Sequence, residues 1–233
     1  MKSALRIALG LTVLSLGTFA AADGFTLKRT PQVGSSIKYT MSAKFTAIEI
    51  GTIDATLLEQ VTDVDKDGNF SVQQTQIEAK GTYAGEDFDI PARLPITMTY
   101  KPNRLLSKIT GDLIDVNSYR VENLATVVDP GKPVSVGDEW LGEIKADKTL
   151  GTPPIKFEYK LVSEEKIGDV DTLRIKASGK EGEGVNPAQH DFTIWISKAD
   201  GAMIQLESKW TNAPFPGVAS PVSATIKITK AAS

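Results

Sequence analysis

Ile37-Lys38-Tyr39-Thr40-Met41-Ser42-Ala43-Lys44-Phe45-Thr46-Ala47 alternates apolar and polar residues without a break. Ile37, Tyr39, Met41, Ala43, Phe45 and Ala47 share one phase, and Lys38, Thr40, Ser42, Lys44 and Thr46 share the other. Successive side chains of a strand point to opposite faces, so this split describes a strand with one face buried and one face wet. The pattern recurs outward from it. Ile53, Ala55, Leu57 and Val61 repeat it, and Ile155, Phe157, Tyr159 and Leu161 alternate with Lys156, Glu158 and Lys160. The same period runs through Leu173, Ile175 and Ala177, through Phe192, Ile194 and Ile196, through Ile204 and Leu206, and through Val222, Ala224, Ile226 and Ile228. About ten or eleven strands result, more than the usual sheet holds and enough for a curved or closed one.

The connections are short and carry turn residues: Asp65-Lys66-Asp67-Gly68-Asn69, Lys101-Pro102-Asn103-Arg104 and Lys198-Ala199-Asp200-Gly201. Such turns join neighbours as antiparallel hairpins. Parallel sheets, covered on both sides, read instead as continuous apolar runs. The predicted fold class is therefore mainly β: a large, antiparallel, strongly curved meander sheet, half-barrel or barrel-like. One segment interrupts it. Over residues 116–128, Val116, Tyr119 and Val127, with Val121 and Leu124 less regularly, fit a 3.6-residue period, and Asp115 or Asn117 is placed to cap a helix. Asp129-Pro130-Gly131-Lys132-Pro133 ends it.

The N-terminus has a different character. Lys2 and Arg6, an apolar run over residues 7–16 and the small residues Ala20-Ala21-Ala22 reproduce a secretory signal peptide, so residues 1–22 are expected to be removed and the mature chain to begin at Asp23. This implies an exported, periplasmic or secreted protein. Without those residues the balance is 24 basic against 29 acidic residues, a net charge of −5, with no Lys/Arg cluster to attract nucleic acid. The chain has no cysteine. That leaves the fold to its core rather than to disulfides and provides no lipidation cysteine at the cleavage site. After Leu16 no run approaches the ~20 apolar residues of a transmembrane helix.

Residues 23–233 read as one β domain. A subdivision into halves 23–115 and 133–233, joined by a helix-containing linker 116–132, is equally open. Val33-Gly34-Ser35-Ser36-Ile37 opens the first half and Val136-Gly137-Asp138-Glu139-Trp140 the second, 103 positions later, and Phe70 and Val72 match Leu173 and Ile175 at the same offset. The segment Pro133-Val134-Ser135-Val136-Gly137-Asp138-Glu139-Trp140 resembles uncharacterised exported bacterial families in which a Gly-Asp-x-Trp turn starts a strand after a Pro-containing linker. The long meander with a central helix is similar, in architecture, to the periplasmic lipoprotein carriers. That second resemblance implies a half-open barrel able to hold acyl chains, and neither resemblance transfers a functional residue.

The candidate sites each carry two readings. Asp63-Val64-Asp65-Lys66-Asp67-Gly68-Asn69 reproduces the opening of a calcium loop, in which Asp63, Asp65 and Asp67 would supply carboxylates. Gln74 replaces the bidentate Glu of that motif and the flanks are strands rather than helices, so a plain β-turn fits better, and no metal is assigned. The corresponding turn of the second half, Glu165-Lys166-Ile167-Gly168-Asp169, lacks the acidic spacing. His190 is the only histidine and is read as an exposed strand-end residue beside Asp191. No Gly-x-Ser-x-Gly elbow or HExxH sequence organises a catalytic group. Glu86, Asp87, Asp89, Asp112 and Asp115 could furnish a carboxylate pair but read as surface acids. Trp195 lies out of phase with Phe192, Ile194 and Ile196, as a ligand platform or as a residue covered by a loop or the central helix. Trp210 is in phase with the core, and Asn212-Ala213-Pro214-Phe215-Pro216-Gly217-Val218 is either a contact loop or a packed one.

No catalytic residue or cofactor is assigned, and the ligand-binding residues are unknown. The function these readings favour is an exported, soluble, non-enzymatic protein holding a hydrophobic or lipid ligand in a concave apolar interior. The alternative is a structural or adhesion module of the cell envelope, calcium-stabilised if the aspartate loop binds an ion.

Overall fold

A computed structural model describes residues 24–46, 50–182, 184, 186–216, 218 and 220–232. The leader 1–22, Ala47 of the first strand and Gly217 of the Pro-rich loop lie outside the described residues. Among these described residues twelve strands form one antiparallel sheet: β1 (Ser36–Thr46), β2 (Ile50–Val64), β3 (Phe70–Tyr83), β4 (Glu86–Asp89), β5 (Ile96–Tyr100), β6 (Leu106–Thr110), β7 (Glu139–Ile144), β8 (Ile155–Ile167), β9 (Val170–Glu181), β10 (Gln189–Ser197), β11 (Met203–Ala213) and β12 (Val222–Lys230). The strand beyond the expected ten or eleven is easiest to see in β4, four exposed residues with the sequence Glu-Asp-Phe-Asp and no apolar alternation.

The order β6-β5-β3-β2-β1-β12-β11-β10-β9-β8-β7, with β4 beside β3, joins two meanders at a seam between the first and last strands. Across that seam Tyr39 pairs with Lys230 and Phe45 with Ala224. The sheet is open, its ends being β6 and β7. Both meanders begin with the same turn. Gly34 N–H donates to Val61 O (2.8 Å) and Val61 N–H to Ser35 O (2.9 Å); Gly137 N–H donates to Leu161 O (2.8 Å) and Leu161 N–H to Asp138 O (3.0 Å). Gly34 and Gly137 have φ of 86° and 98°, where glycine is favoured. A register shift follows Val61 in β2 and Leu161 in β8, and Val72 and Ile175 pair with these two residues.

Among the described residues the one helix is α1 (Val116–Leu124), four residues shorter than its periodicity suggests. Asp115 caps it, its carboxylate accepting Ser118 N–H at 2.9 Å, while Asp115 N–H donates to Ser118 Oγ at 3.3 Å. The helix ends because the β-branched Thr126, Val127 and Val128 are poor helix formers and their backbone is bound by sheet side chains. Tyr159 Oη donates to Thr126 O (2.8 Å) and accepts Val128 N–H (3.2 Å), and Trp140 Nε1 donates to Val128 O (3.0 Å).

The end of α1 and its exit therefore lie inside the curve of the second meander. Leu124 and Val127 join Leu27, Trp140, Phe157, Tyr159, Ile175, Phe192 and Trp210 in one buried apolar cluster. The helix also ties the two meanders together. Tyr119 Oη accepts Ile109 N–H (3.2 Å) on β6, and Tyr100 Oη on β5 donates to Glu122. Toward the other meander, Arg120 grips Glu181 of β9 through two bonds of 2.7 and 2.8 Å. No helix among the described residues is long and apolar enough to cross a membrane.

Candidate functional site

The apolar phases that define the strands all point toward the concave side, yet the two meanders use that side differently. In the second meander α1, its exit and Leu27 occupy it. In the first meander, register places Tyr39 opposite Leu57, Met41 opposite Ala55 and Ala43 opposite Ile53, then Ala55 opposite Ala79 and Ile53 opposite Gly81. This is the concave face, because Phe45, two residues beyond Ala43, packs on the central cluster and Tyr39 Oη donates to Met203 O at 2.9 Å. Ala43, Ala55, Ala79 and Gly81 form a band of small residues across three strands. Met41, Ile53, Leu57 and Ile96, larger and only half-buried, flank it. The small residues are buried, and the half-buried larger ones beside them present the accessible apolar surface of this face, a shallow groove.

One end of the groove is polar. Glu59, opposite Ile37 and Gln74 and hence on the same face, forms an ion pair with Arg29, whose guanidinium also sits 5.2 Å from the Phe70 ring centroid. Both side chains are largely buried. Burial pushes the Tyr100 hydroxyl well above its ordinary range, with the neighbouring Glu122 carboxylate reinforcing it. Burial likewise holds the Glu122 carboxyl above its usual value, against the opposing hydrogen bond from Tyr100. At the same end Arg104 donates from Nε to Leu27 O and from Nη2 to Gly201 O, each at 2.8 Å, which pins the N-terminal segment between the meanders. At the other end, the Phe88 ring lies where a Cβ on Gly81 would be, so this glycine is needed for close approach.

The residues singled out by sequence do not converge on this groove. His190 is fully buried, which corrects the reading of an exposed strand-end histidine. Its ring stacks on Trp210 at 3.8 Å and Phe192 at 4.6 Å, and Nδ1 lies 3.1 Å from Leu124 O at the end of α1. Since a carbonyl can only accept, Nδ1 carries the proton, and Nε2 is buried with no partner. Burial lowers its pKa to about 4, although the Leu124 carbonyl and Asp191 act in the opposite direction. The signal was present in the sequence: His190 has the parity of Phe192 and Ile194.

Asp65 is a turn residue. Its carboxylate accepts Asp67 N–H and Asn69 N–H, each at 2.9 Å, and Asn69 Nδ2 at 2.8 Å, and these bonds, led by the Asn69 side chain, lower its pKa. Gln74 lies on β3, away from that turn. Trp195 is 9% exposed, but α1 is on the opposite face. Its cover comes from its own face, where Nε1 donates to Glu165 and Arg174 is its register partner on β9. Trp210 is core, as its phase indicates. The Pro-rich loop is packed: Ala213 and Pro214 are buried, and Phe215 contacts Phe45 and Trp210 with ring centroids 5.8 and 5.5 Å apart. Glu86, Asp87, Asp89 and Asp112 are exposed, and Asp115 is the helix cap. What the sequence reading missed was the groove, because the pairing that assembles it is set by strand register rather than by any motif.

No family model matches this chain, and no curated protein does either. Three solved structures are similar in outline. A hypothetical lipoprotein, YmcC, of Escherichia coli K12 shares 12% identity at a TM-score of 0.33, covering 88% of this chain and 91% of that one. A presumed lipoprotein of Parabacteroides distasonis shares 12% at 0.36, covering 89% and 99%. A presumed exported protein with a YmcC-like fold, from Bacteroides fragilis, shares 10% at 0.34, covering 89% and 98%. Likeness at this level assigns this chain no residue, ligand or location.

Proposed function

We propose that the protein is a non-enzymatic binding protein of the cell envelope that holds a hydrophobic ligand, such as a lipid chain, in the concave groove of the first meander. The observation that carries this reading is the asymmetry of the two meanders. The second is filled by Leu124 at the end of α1, by Val127 of its exit and by Leu27, whereas the first leaves Met41, Ile53, Leu57 and Ile96 half-buried around a buried band of Ala and Gly. Apolar surface left partly in water gains roughly 25 cal/mol for each Å² that a ligand covers. The chemistry also favours binding over catalysis, since His190 is committed to packing on Trp210 and to the Leu124 carbonyl. The export signal read in residues 1–22 supports an envelope location.

Titration of the purified protein with a fluorescent fatty acid tests this. Saturable binding is expected, and Met41→Lys, which sets a charge among the half-buried residues of the groove, should weaken it by about tenfold while the melting temperature changes little. Absence of saturable binding, or a Met41→Lys protein that binds as well as the parent, would overturn the assignment. The second reading, an interaction module, is favoured by one feature outside the groove, the edge of β7, which no strand among the described residues covers.

A further inference from the structure

The two ends of the open sheet are finished differently. At β6 the Tyr119 hydroxyl takes both backbone groups of Ile109, accepting its N–H at 3.2 Å and donating to its carbonyl at 3.3 Å, so α1 occupies that edge. At β7 the partner on one side is β8, and among the described residues no strand lies on the other. Unpaired N–H and C=O groups in a row are a template for an added strand unless they are covered or blunted. Glu139, Leu141 and Glu143 face outward, and Leu141 is 80% exposed. Trp140 and Gly142 face inward and are buried.

The chain itself contains the filled version of this position. β1 and β7 enter through the same turn, hydrogen-bonded in the same way to β2 and β8 respectively. The side of β1 that corresponds to the free side of β7 is occupied, antiparallel, by β12. The polarity of the occupant follows from charge. On its paired side β7 sets Glu139 opposite Lys160 and Glu143 opposite Lys156. An incoming strand that repeats this solution needs basic residues four positions apart, opposite Glu139 and Glu143, with apolar ones in the phase that continues the face of Trp140 and Ile144. A second copy of β7 fits worse: centred on Leu141, antiparallel pairing would set Glu139 opposite Glu143, and like charges directly opposite are destabilising.

We propose that the free edge of β7 accepts an extended, basic segment of a protein partner as an added antiparallel strand. Main-chain pairing would supply affinity, and the glutamates would supply the preference for lysine and arginine. This surface is distinct from the concave groove, so the two proposals stand or fall separately.

The test is hydrogen–deuterium exchange on the full protein with a short synthetic peptide that alternates lysine and valine. Residues 139–144 should exchange more slowly when the peptide is present, with residues 106–110 unchanged. A double variant, Glu139→Gln with Glu143→Gln, removes both charges without setting lysine opposite Lys160 and Lys156, and should weaken that peptide at least about tenfold, or ~1.4 kcal/mol. The same variant should lose the preference for this peptide over the matching glutamate–valine peptide. Three results would overturn the proposal: no protection over residues 139–144, peptide affinity indifferent to the loss of the two charges, or sedimentation showing that the protein alone dimerises through β7.

Discussion

Arg120→Met is expected to lower the unfolding free energy by about 3 kcal/mol and the melting temperature by about 10 °C. The reason lies with its partner. The Glu181 side chain is completely buried and accepts two bonds from Arg120 and one from Ala188 N–H at 2.8 Å. Removing the guanidinium leaves a carboxylate in the interior with a single donor. Breaking a buried pair from one side costs about 3–5 kcal/mol, and the lower figure applies because Arg120 is 21% exposed and part of its charge is already solvated. The double change Arg120→Met with Glu181→Leu should recover much of the loss, since no buried charge then remains. Chemical denaturation of the three proteins checks this. A single variant within about 1 kcal/mol of the parent would mean that α1 is not anchored to β9 as described.

The second large effect is acid destabilisation through His190. Its folded-state pKa is about 4, below the ordinary histidine value near 6.5, so the unfolded chain takes up a proton in a range where the folded chain does not. The stability contributed by neutral His190 is thus complete above about pH 6.5 and is lost as pH falls toward 4. The slope reaches up to about 1.4 kcal/mol per pH unit, and the loss sums to roughly 3 kcal/mol. The structural cause is an imidazole pressed between Trp210 and Phe192, with Nδ1 donating to Leu124 O and Nε2 without a partner. His190→Phe keeps the stacking and removes the titration. Its stability should fall less steeply than the parent's over this interval. Equal slopes for the two proteins would show that His190 does not carry the effect.

These two residues illustrate what could be read from the sequence. Arg120 sits in the predicted helix, but nothing local pairs it with Glu181, 61 positions away. The strands were legible because a half-buried strand writes its own period, as residues 37–46 do. The entry turn of the second half was legible too, since Gly137 repeats Gly34 with the same hydrogen bonds. The seam between β1 and β12 was not, because an antiparallel pair joining residues 39 and 230 has no local signature. His190 was misread although its parity was informative: a lone histidine beside Asp191 looks polar until its strand is seen to run under α1. The helix was legible from its period, but that its exit is core, held by Tyr159 and Trp140, was not. The groove was anticipated only as a general concave interior. Which half of it is filled depends on where α1 folds back, and that is decided by side chains such as Tyr100, Tyr119 and Arg120 reaching strands of both meanders.

The central claim is that the first meander, and not the second, offers its concave face to a ligand. Photo-crosslinking with a diazirine-bearing fatty acid, followed by mass-spectrometric mapping, tests it most directly. Crosslinks on Met41, Ile53, Leu57 or Ile96 are the predicted result. Crosslinks confined to β8 and β9 at Phe157, Tyr159 or Ile175, beneath α1, would contradict it.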